Sequence, residues 1–435
     1  MSRLGWICAV AIIGFIAMVG LLTPQRGLDL LEEATAGTED EAIAMSRPTI
    51  WPSEQQALVA GNTKFALDLY MALRRDVRNR NLFFSPYSVS LALGMAYAGA
   101  HGTTAGEMAH VLHFPVDSNR LPLVFGAINA RLAARGSGTV IDDTVSFELR
   151  LANSLWAQEG FAFRQTFLDT LKARFGTPLE LVDFEDAPAA SRRTINRWVS
   201  RQTGREIREL LPEETITLLT RLMLASAAVF SATWEHQFDQ DFTCDAPFCL
   251  IDGRRVAVSM MEQITPFGYV ATDDVQAVEL PYVGGQFTMV VLLPTSDRFE
   301  AFAGSLTSDR LTTILAQLET QLVHVHMPRF EFGSSFELRS ALGSLGMRRP
   351  FVLGEADFTG MAGTRELFLG EIHHQTYVSV DEVGTSAAVS SAMGLIGAGA
   401  PDIKLDHPFI FLIRDMESGT ILFLGEVMDP SRGDS

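Results

Sequence analysis

Cysteine is scarce in this sequence: 435 residues carry three. Cys8 falls inside an apolar N-terminal run, so only Cys244 and Cys249 serve the rest of the chain. They stand in Phe242-Thr243-Cys244-Asp245-Ala246-Pro247-Phe248-Cys249. Two cysteines five apart around a proline either close a small disulfide loop in an oxidising compartment or stay as free thiols. They make a poor zinc site, because no second Cys or His pair lies nearby. Basic charge is also short. Lys and Arg number 34 against 52 Asp and Glu, a formal net charge of −18. Nucleic acids and heparin-like polyanions need clustered Lys and Arg to displace counterions, so neither is an expected partner. The acidity serves solubility or steers a basic partner.

Catalytic signatures are missing as well. There is no G-x-S-x-G elbow, H-E-x-x-H helix, P-loop or dinucleotide fingerprint. His324 and His326 are two apart, which on a strand puts both rings on one face. No third ligand follows them, so no metal is expected. His373 and His374 are adjacent and cannot face one site from a strand. The nine histidines form no defensible triad. A hydrolase is the weaker class, and no cofactor is expected.

What is present starts with the leader. Met1, Ser2 and Arg3 are followed by Leu4–Leu22, a run with no charge. As a helix it would reach about 28 Å, close to the hydrocarbon core of a bilayer. Its end, Ala17-Met18-Val19-Gly20-Leu21-Leu22, is a poor cleavage site, so residues 1–22 are either a signal peptide or an uncleaved anchor. Either sends the rest of the chain across a membrane, secreted or anchored, and membrane contact is expected only there. Residues 23–50 are rich in Glu and Asp and read as an acidic tether. With 47% hydrophobic residues and no Pro- or Gly-rich linker after it, residues 51–430 read as one large domain, with 431–435 a tail.

The periodicity within that domain changes along the chain. Leu58 to Arg75, Thr104 to His113, Leu121 to Arg135, Phe167 to Phe175 and Ser191 to Glu206 read as helices. Ser85-Pro86 suits a helix N-cap and first turn. Phe147 to Trp156 alternates as a strand, and Leu179 to Phe184 reads as another. Met223 to Phe230 is nearly continuous apolar, as for a strand covered on both faces. Most of the rest is strand, including Val323 to Phe332 and Thr376 to Val380. Helices early and strands late argue for an α+β fold.

Residues 381 to 401 do not fit that pattern. From Val383 to Pro401 there is no charge, four glycines and mostly small side chains. A structureless stretch of this length in a compact domain is usually functional. Small residues let such a stretch be an exposed loop and also slide between two strands. In the second state Thr385, Ala387, Val389 and Ser391 would share one inward face.

The chain here resembles the serpin family, over about residues 51–430. Asn81-Leu82-Phe83-Phe84-Ser85-Pro86-Tyr87-Ser88-Val89-Ser90 is similar to the family's signature strand and helix start. Ile195-Asn196-Arg197-Trp198-Val199 resembles the helix across the main sheet. Glu279-Leu280-Pro281-Tyr282, Pro328-Arg329-Phe330, Ala356-Asp357-Phe358-Thr359-Gly360-Met361 and His407-Pro408-Phe409-Ile410-Phe411 resemble later motifs in the expected order. The resemblance implies three β-sheets, eight or nine helices and an exposed reactive-centre loop. It implies a monomeric suicide inhibitor whose partner is a serine protease, held as a covalent acyl complex while the cut loop inserts into the central sheet. The alternative is a non-inhibitory serpin acting as chaperone, carrier or surface protein.

Residue by residue, the resemblance makes Glu382, Gly384, Thr385, Ala387 and Ala388 the hinge. Counting from the hinge puts the cut at Ala398-Gly399, and counting back from Pro408-Phe409 puts it at Gly397-Ala398. Ile396, Leu395 and Met393 are further candidates. Ala398 would suit an elastase-like or subtilisin-like protease, and the larger residues a chymotrypsin-like one. Ser85, Ser88, Ser226 and His374 match the polar cluster beneath the opening sheet, and Trp234 the point where insertion begins. Ser226 stands where the family usually has Asn. The shorter side chain makes fewer hydrogen bonds, which implies a looser closed sheet.

Overall fold

The computed structural model describes residues 52–116, 119–136, 140–141, 144–145, 147–384 and 400–433. The leader and tether of residues 1–50 lie outside them. No described helix is long and apolar enough to cross a membrane.

The first half is mainly helical. It runs α1 (Pro52–Leu73), β1 (Leu82–Phe84), α2 (Pro86–Tyr97), α3 (Gly102–Val111), α4 (Leu121–Gly136) and a hairpin of β2 (Val140–Ile141) and β3 (Thr144–Val145). Then come β4 (Phe147–Gln158), α5 (Gln165–Thr170), β5 (Leu179–Val182), α6 (Pro188–Gln202) and β6 (Leu222–Ala232). Strands dominate afterwards: β7 (Cys244–Cys249), β8 (Arg255–Ala271), β9 (Val275–Pro281) and β10 (Phe287–Pro294). After α7 (Phe299–Ser305) and α8 (Ser308–Ala316) follow β11 (Glu319–Pro328) and β12 (Phe330–Glu337). The chain closes with α9 (Arg339–Leu345), α10 (Thr359–Ala362), β13 (Leu369–Val380), β14 (Asp402–Lys404), β15 (Phe409–Asp415) and β16 (Ile421–Val427).

Ten α-helices are thus described, against eight or nine expected. The surplus is in short pieces: α7 and α9 have 7 residues each and α10 has 4, too few to show a period. The α+β class holds. A five-stranded sheet runs β12-β13-β6-β4-β5, and a nine-stranded one contains β1, β16, β15, β10, β9, β8, β11, β14 and β7. β8 makes the second sheet continuous. It pairs with β7 near its start, with β11 along its middle and with β9 at its end.

The sheets settle two points of the sequence reading. Val323 to Phe332 is not one strand. β11 belongs to the nine-stranded sheet and β12 to the five-stranded one, with Arg329 between them. Pro328 lacks an N–H for a continuing ladder, and the Arg329 N–H turns to the Ser259 carbonyl at 2.8 Å. The structure also decides between the disulfide loop and the free thiols that the cysteine spacing left open. Cys244 and Cys249 occupy the two ends of β7, and both are free thiols. Five residues of extended strand span about 16 Å, more than twice the Cα separation a disulfide tolerates, about 7 Å.

The central layer follows from burial. All twelve residues of α2 are buried, so this helix has no solvent face. It starts where expected: the Ser85 hydroxyl accepts the Ser88 N–H at 3.1 Å, and Pro86 fills the first turn. β6 is buried at every position but Ser231. Its Met223, Ala225, Ala227 and Val229 pack in one cluster with Ile195 and Val199 of α6. The alternate residue Ser226 points to the other face, toward Ser88 of α2. Covered on both sides, β6 reads as an unbroken apolar run.

Candidate functional site

The site lies between β6 and β13. The two strands are parallel and directly paired from Leu369↔Leu222 to Tyr377↔Val229. Pairing stops there, although β13 continues to Val380 and β6 to Ala232. The upper end of the pair is therefore parted, and beyond it an isolated bridge between Thr233 and Gly384 and the bond from the Trp234 N–H to the Val383 carbonyl rejoin the two chains.

Lower down, a polar chain crosses the buried layer. His374 on β13 accepts the Ser85 backbone N–H at its Nε2, 2.9 Å away. That nitrogen therefore carries no proton, and in the neutral ring Nδ1 carries it. Nδ1 lies 2.9 Å from the Ser226 hydroxyl, to which it donates. Ser226 is 3.2 Å from the Ser88 hydroxyl, and Ser88 donates to Asn153 Oδ1 at 2.9 Å. Ser85 Oγ donates to the Leu422 carbonyl at 2.6 Å. The hydrogen bonds run one way, from β13 through β6 and α2 to β4. Ser226 is short, yet it bridges both neighbours. Asn153, directly opposite Ser226 in the β4–β6 ladder, ends the chain with its amide oxygen.

Protonation would break this chain. Burial drives the His374 pKa down to about 3. In an unfolded chain the ring takes a proton near 6.5. Between those values the unfolded state binds the extra proton and the folded state does not, so stability falls as pH falls through that window. We expect a loss of about 2 kcal/mol from this group between pH 6.5 and 5. Denaturant unfolding at both pH values, for the protein and for His374→Gln, checks it. The variant should lose clearly less on acidification; an equal loss would assign the effect elsewhere.

At the parted end, Trp234 stacks on Tyr282 with ring centroids 4.5 Å apart and planes at 9°. Its indole N–H donates to the Asp381 carbonyl at 3.0 Å, and its backbone N–H to Val383 at 3.0 Å. The Glu382 carboxylate is buried beside them. It accepts from Arg329 Nε at 2.6 Å and from the Thr243 hydroxyl. Burial alone would raise its pKa, but the Arg329 guanidinium and the Thr243 hydroxyl outweigh it and hold the group below the ordinary value. A turn then carries the chain out of the sheet. Gly384 has φ +112°, and a Cβ there would sit 2.3 Å from the Ala232 carbonyl oxygen and 2.6 Å from the Trp234 nitrogen. Only glycine fits.

Ser85, Ser88, Ser226 and His374 thus meet at one cluster, and Trp234, Glu382 and Gly384 meet at another. Thr385, Ala387, Ala388, Met393, Leu395, Ile396, Gly397, Ala398 and Gly399 lie outside the described residues. Asn153, Thr243 and Arg329 were missed as site residues. Asn153 carried a signal, a polar residue in line with Leu149, Leu151 and Leu155. Arg329 stood in a recognised motif, and nothing local marked Thr243.

Comparisons with known proteins bear on the family and the fold. A model of the serpin family, serine protease inhibitors, matches residues 60–430. A serpin-like protein of Thermococcus kodakarensis is 37% identical over 387 residues, covering 87% of each chain. Leukocyte elastase inhibitor A of Mus musculus is 36% identical over 387 residues, covering 86% of this chain and 100% of its own length. Among solved structures, uncleaved ovalbumin is similar with a TM-score of 0.77 at 25% identity, over 86% of this chain and 100% of that one. The thermophilic serpin tengpin in its native state is similar in fold with a TM-score of 0.77 at 24% identity, over 88% and 96%.

Proposed function

The chain belongs to the serpin family, and on that premise we propose that it is a suicide-substrate inhibitor of serine proteases. One observation carries the reading. β13 is parallel to β6, and the chain leaves β13 through the Gly384 turn at the parted end of that pair. A strand folding back from this turn runs antiparallel to β13, and therefore antiparallel to β6 as well. Once β6 and β13 separate along their paired length, such a strand can form ladders on both sides.

The chemistry follows. The target's serine hydroxyl attacks the loop carbonyl at Ala398. The Ala398–Gly399 bond breaks, an ester joins Ala398 to the protease, and the new amine stays on the fragment that continues into β14. Residues from Thr385 onward then enter the sheet with the protease still attached. Glu382, Arg329, Thr243 and Trp234 act as the latch that insertion must displace.

A small bait residue supports an elastase-like or subtilisin-like target, and the relatives named leukocyte elastase inhibitors support the first of these. Met393, Leu395 or Ile396 as bait would instead suit a chymotrypsin-like enzyme. The uncharged run Leu4–Leu22 supports an extracytoplasmic address, secreted or anchored. Mixing the protein with pancreatic elastase and with subtilisin is expected to give a complex that survives SDS. Loop cleavage by both enzymes without any such complex would overturn the inhibitory reading in favour of a chaperone, carrier or surface role.

A further inference from the structure

We propose that Glu262, His324 and His326 bind one zinc ion on the nine-stranded sheet. The inference does not depend on the inhibitory reading. β11 lies between β8 and β14, with His326 opposite Glu262 on one side and His324 opposite Asp402 on the other. The two rings share a face, their centroids 4.0 Å apart. Glu262 Oε2 is 3.4 Å from His326 Nδ1 and 3.7 Å from His324 Nε2. One ligand atom from each of the three residues lies within 4.8 Å of the others. Tetrahedral zinc with bonds of about 2.0–2.1 Å separates its ligand atoms by about 3.4 Å. Small rotations of these half-buried side chains close the difference.

The donor chemistry fits zinc. Two imidazoles and one carboxylate are a known kind of three-ligand set, leaving a fourth position for water. The ligands are 15–35% exposed, so an ion can reach them. The second nitrogen of His326, Nε2, is buried and makes no hydrogen bond. Asp402 Oδ1 stands 3.1 Å from it, out of line. A carboxylate behind a metal-bound histidine fixes its tautomer and turns the opposite lone pair to the ion. A small turn of the ring or of the carboxylate would bring Asp402 into line, leaving Nδ1 of His326 for the metal on the Glu262 side. Because Asp402 opens β14, the ion would also tie that short strand to β11 and β8.

The test is titration of the full chain carrying Cys244→Ser and Cys249→Ser, which removes the two thiols as competing ligands. Calorimetry with zinc chloride should give one saturable site. Co²⁺ in its place should give the visible absorption of a four-coordinate N,O site. His324→Ala and His326→Ala should each weaken zinc binding at least about 100-fold, and Asp402→Asn about tenfold. Magnesium, which prefers oxygen ligands in octahedral geometry, should not bind there. His324→Gln, close in size and polarity, repeats the test should the alanine variant fold poorly; melting without metal shows which variants are folded. Absence of a saturable site, or unchanged binding in folded variants of both histidines, overturns the proposal.

Discussion

Protein nicked at Ala398-Gly399 is expected to melt at least about 10 °C above the intact chain. About a dozen new ladder bonds, each worth ~1 kcal/mol net, set the scale near 10 kcal/mol. Ordering the segment costs conformational entropy. Burial of alternate apolar side chains such as Val389 offsets that cost. In a domain of this size each kcal/mol moves the midpoint by about 1–2 °C. The geometry favours a gain. β6 and β13 already part beyond Tyr377↔Val229, so entry needs no intact ladder to be broken at the top. The incoming strand also replaces one parallel interface by two antiparallel ones, which are slightly more stable per residue. Differential scanning calorimetry of intact and nicked protein decides it. Equal midpoints would mean that the cut segment stays in solvent, and no trap could then be driven by it.

Much of this arrangement was legible in the sequence because its cause is local. Ser85-Pro86 announces a capped helix whatever surrounds it, and the unbroken apolar run around Ala225 announces a strand covered on both faces. The hinge and the serine–histidine cluster were legible only through family resemblance, since His374 and Ser226 lie 148 positions apart. What stayed hidden depends on register. Asn153 matters because it faces Ser226 across β4 and β6. Glu262 completes a ligand set because β8 folds back to put it opposite His326, 64 positions later. The cysteines stayed ambiguous for a related reason. Their spacing suggested a loop, and the strand they form holds them apart. Arg329 marks a change of sheet, which a two-residue period cannot report.

Thr385→Arg is expected to turn the inhibitor into a substrate. Gly384 is fixed at the parted end of β6 and β13, so the next residue is the first that must enter between them. In the inserted strand Thr385 shares its face with Ala387, Val389 and Ser391. An arginine there is either stranded unpaired in the layer or must be held outside it. Burying an unpaired charge costs several kcal/mol. Even 3 kcal/mol on the insertion barrier slows that step by about two orders of magnitude. Attack on the bait bond, some thirteen residues away, is unaffected. The acyl-enzyme then hydrolyses before the loop has moved. With elastase, loop cleavage should proceed at the parent rate while the SDS-stable complex falls from the main product to less than about a tenth. Thr385→Ser should leave the complex intact. If Thr385→Arg still forms it in full yield, entry does not begin at this residue, and the hinge must be placed further along the loop.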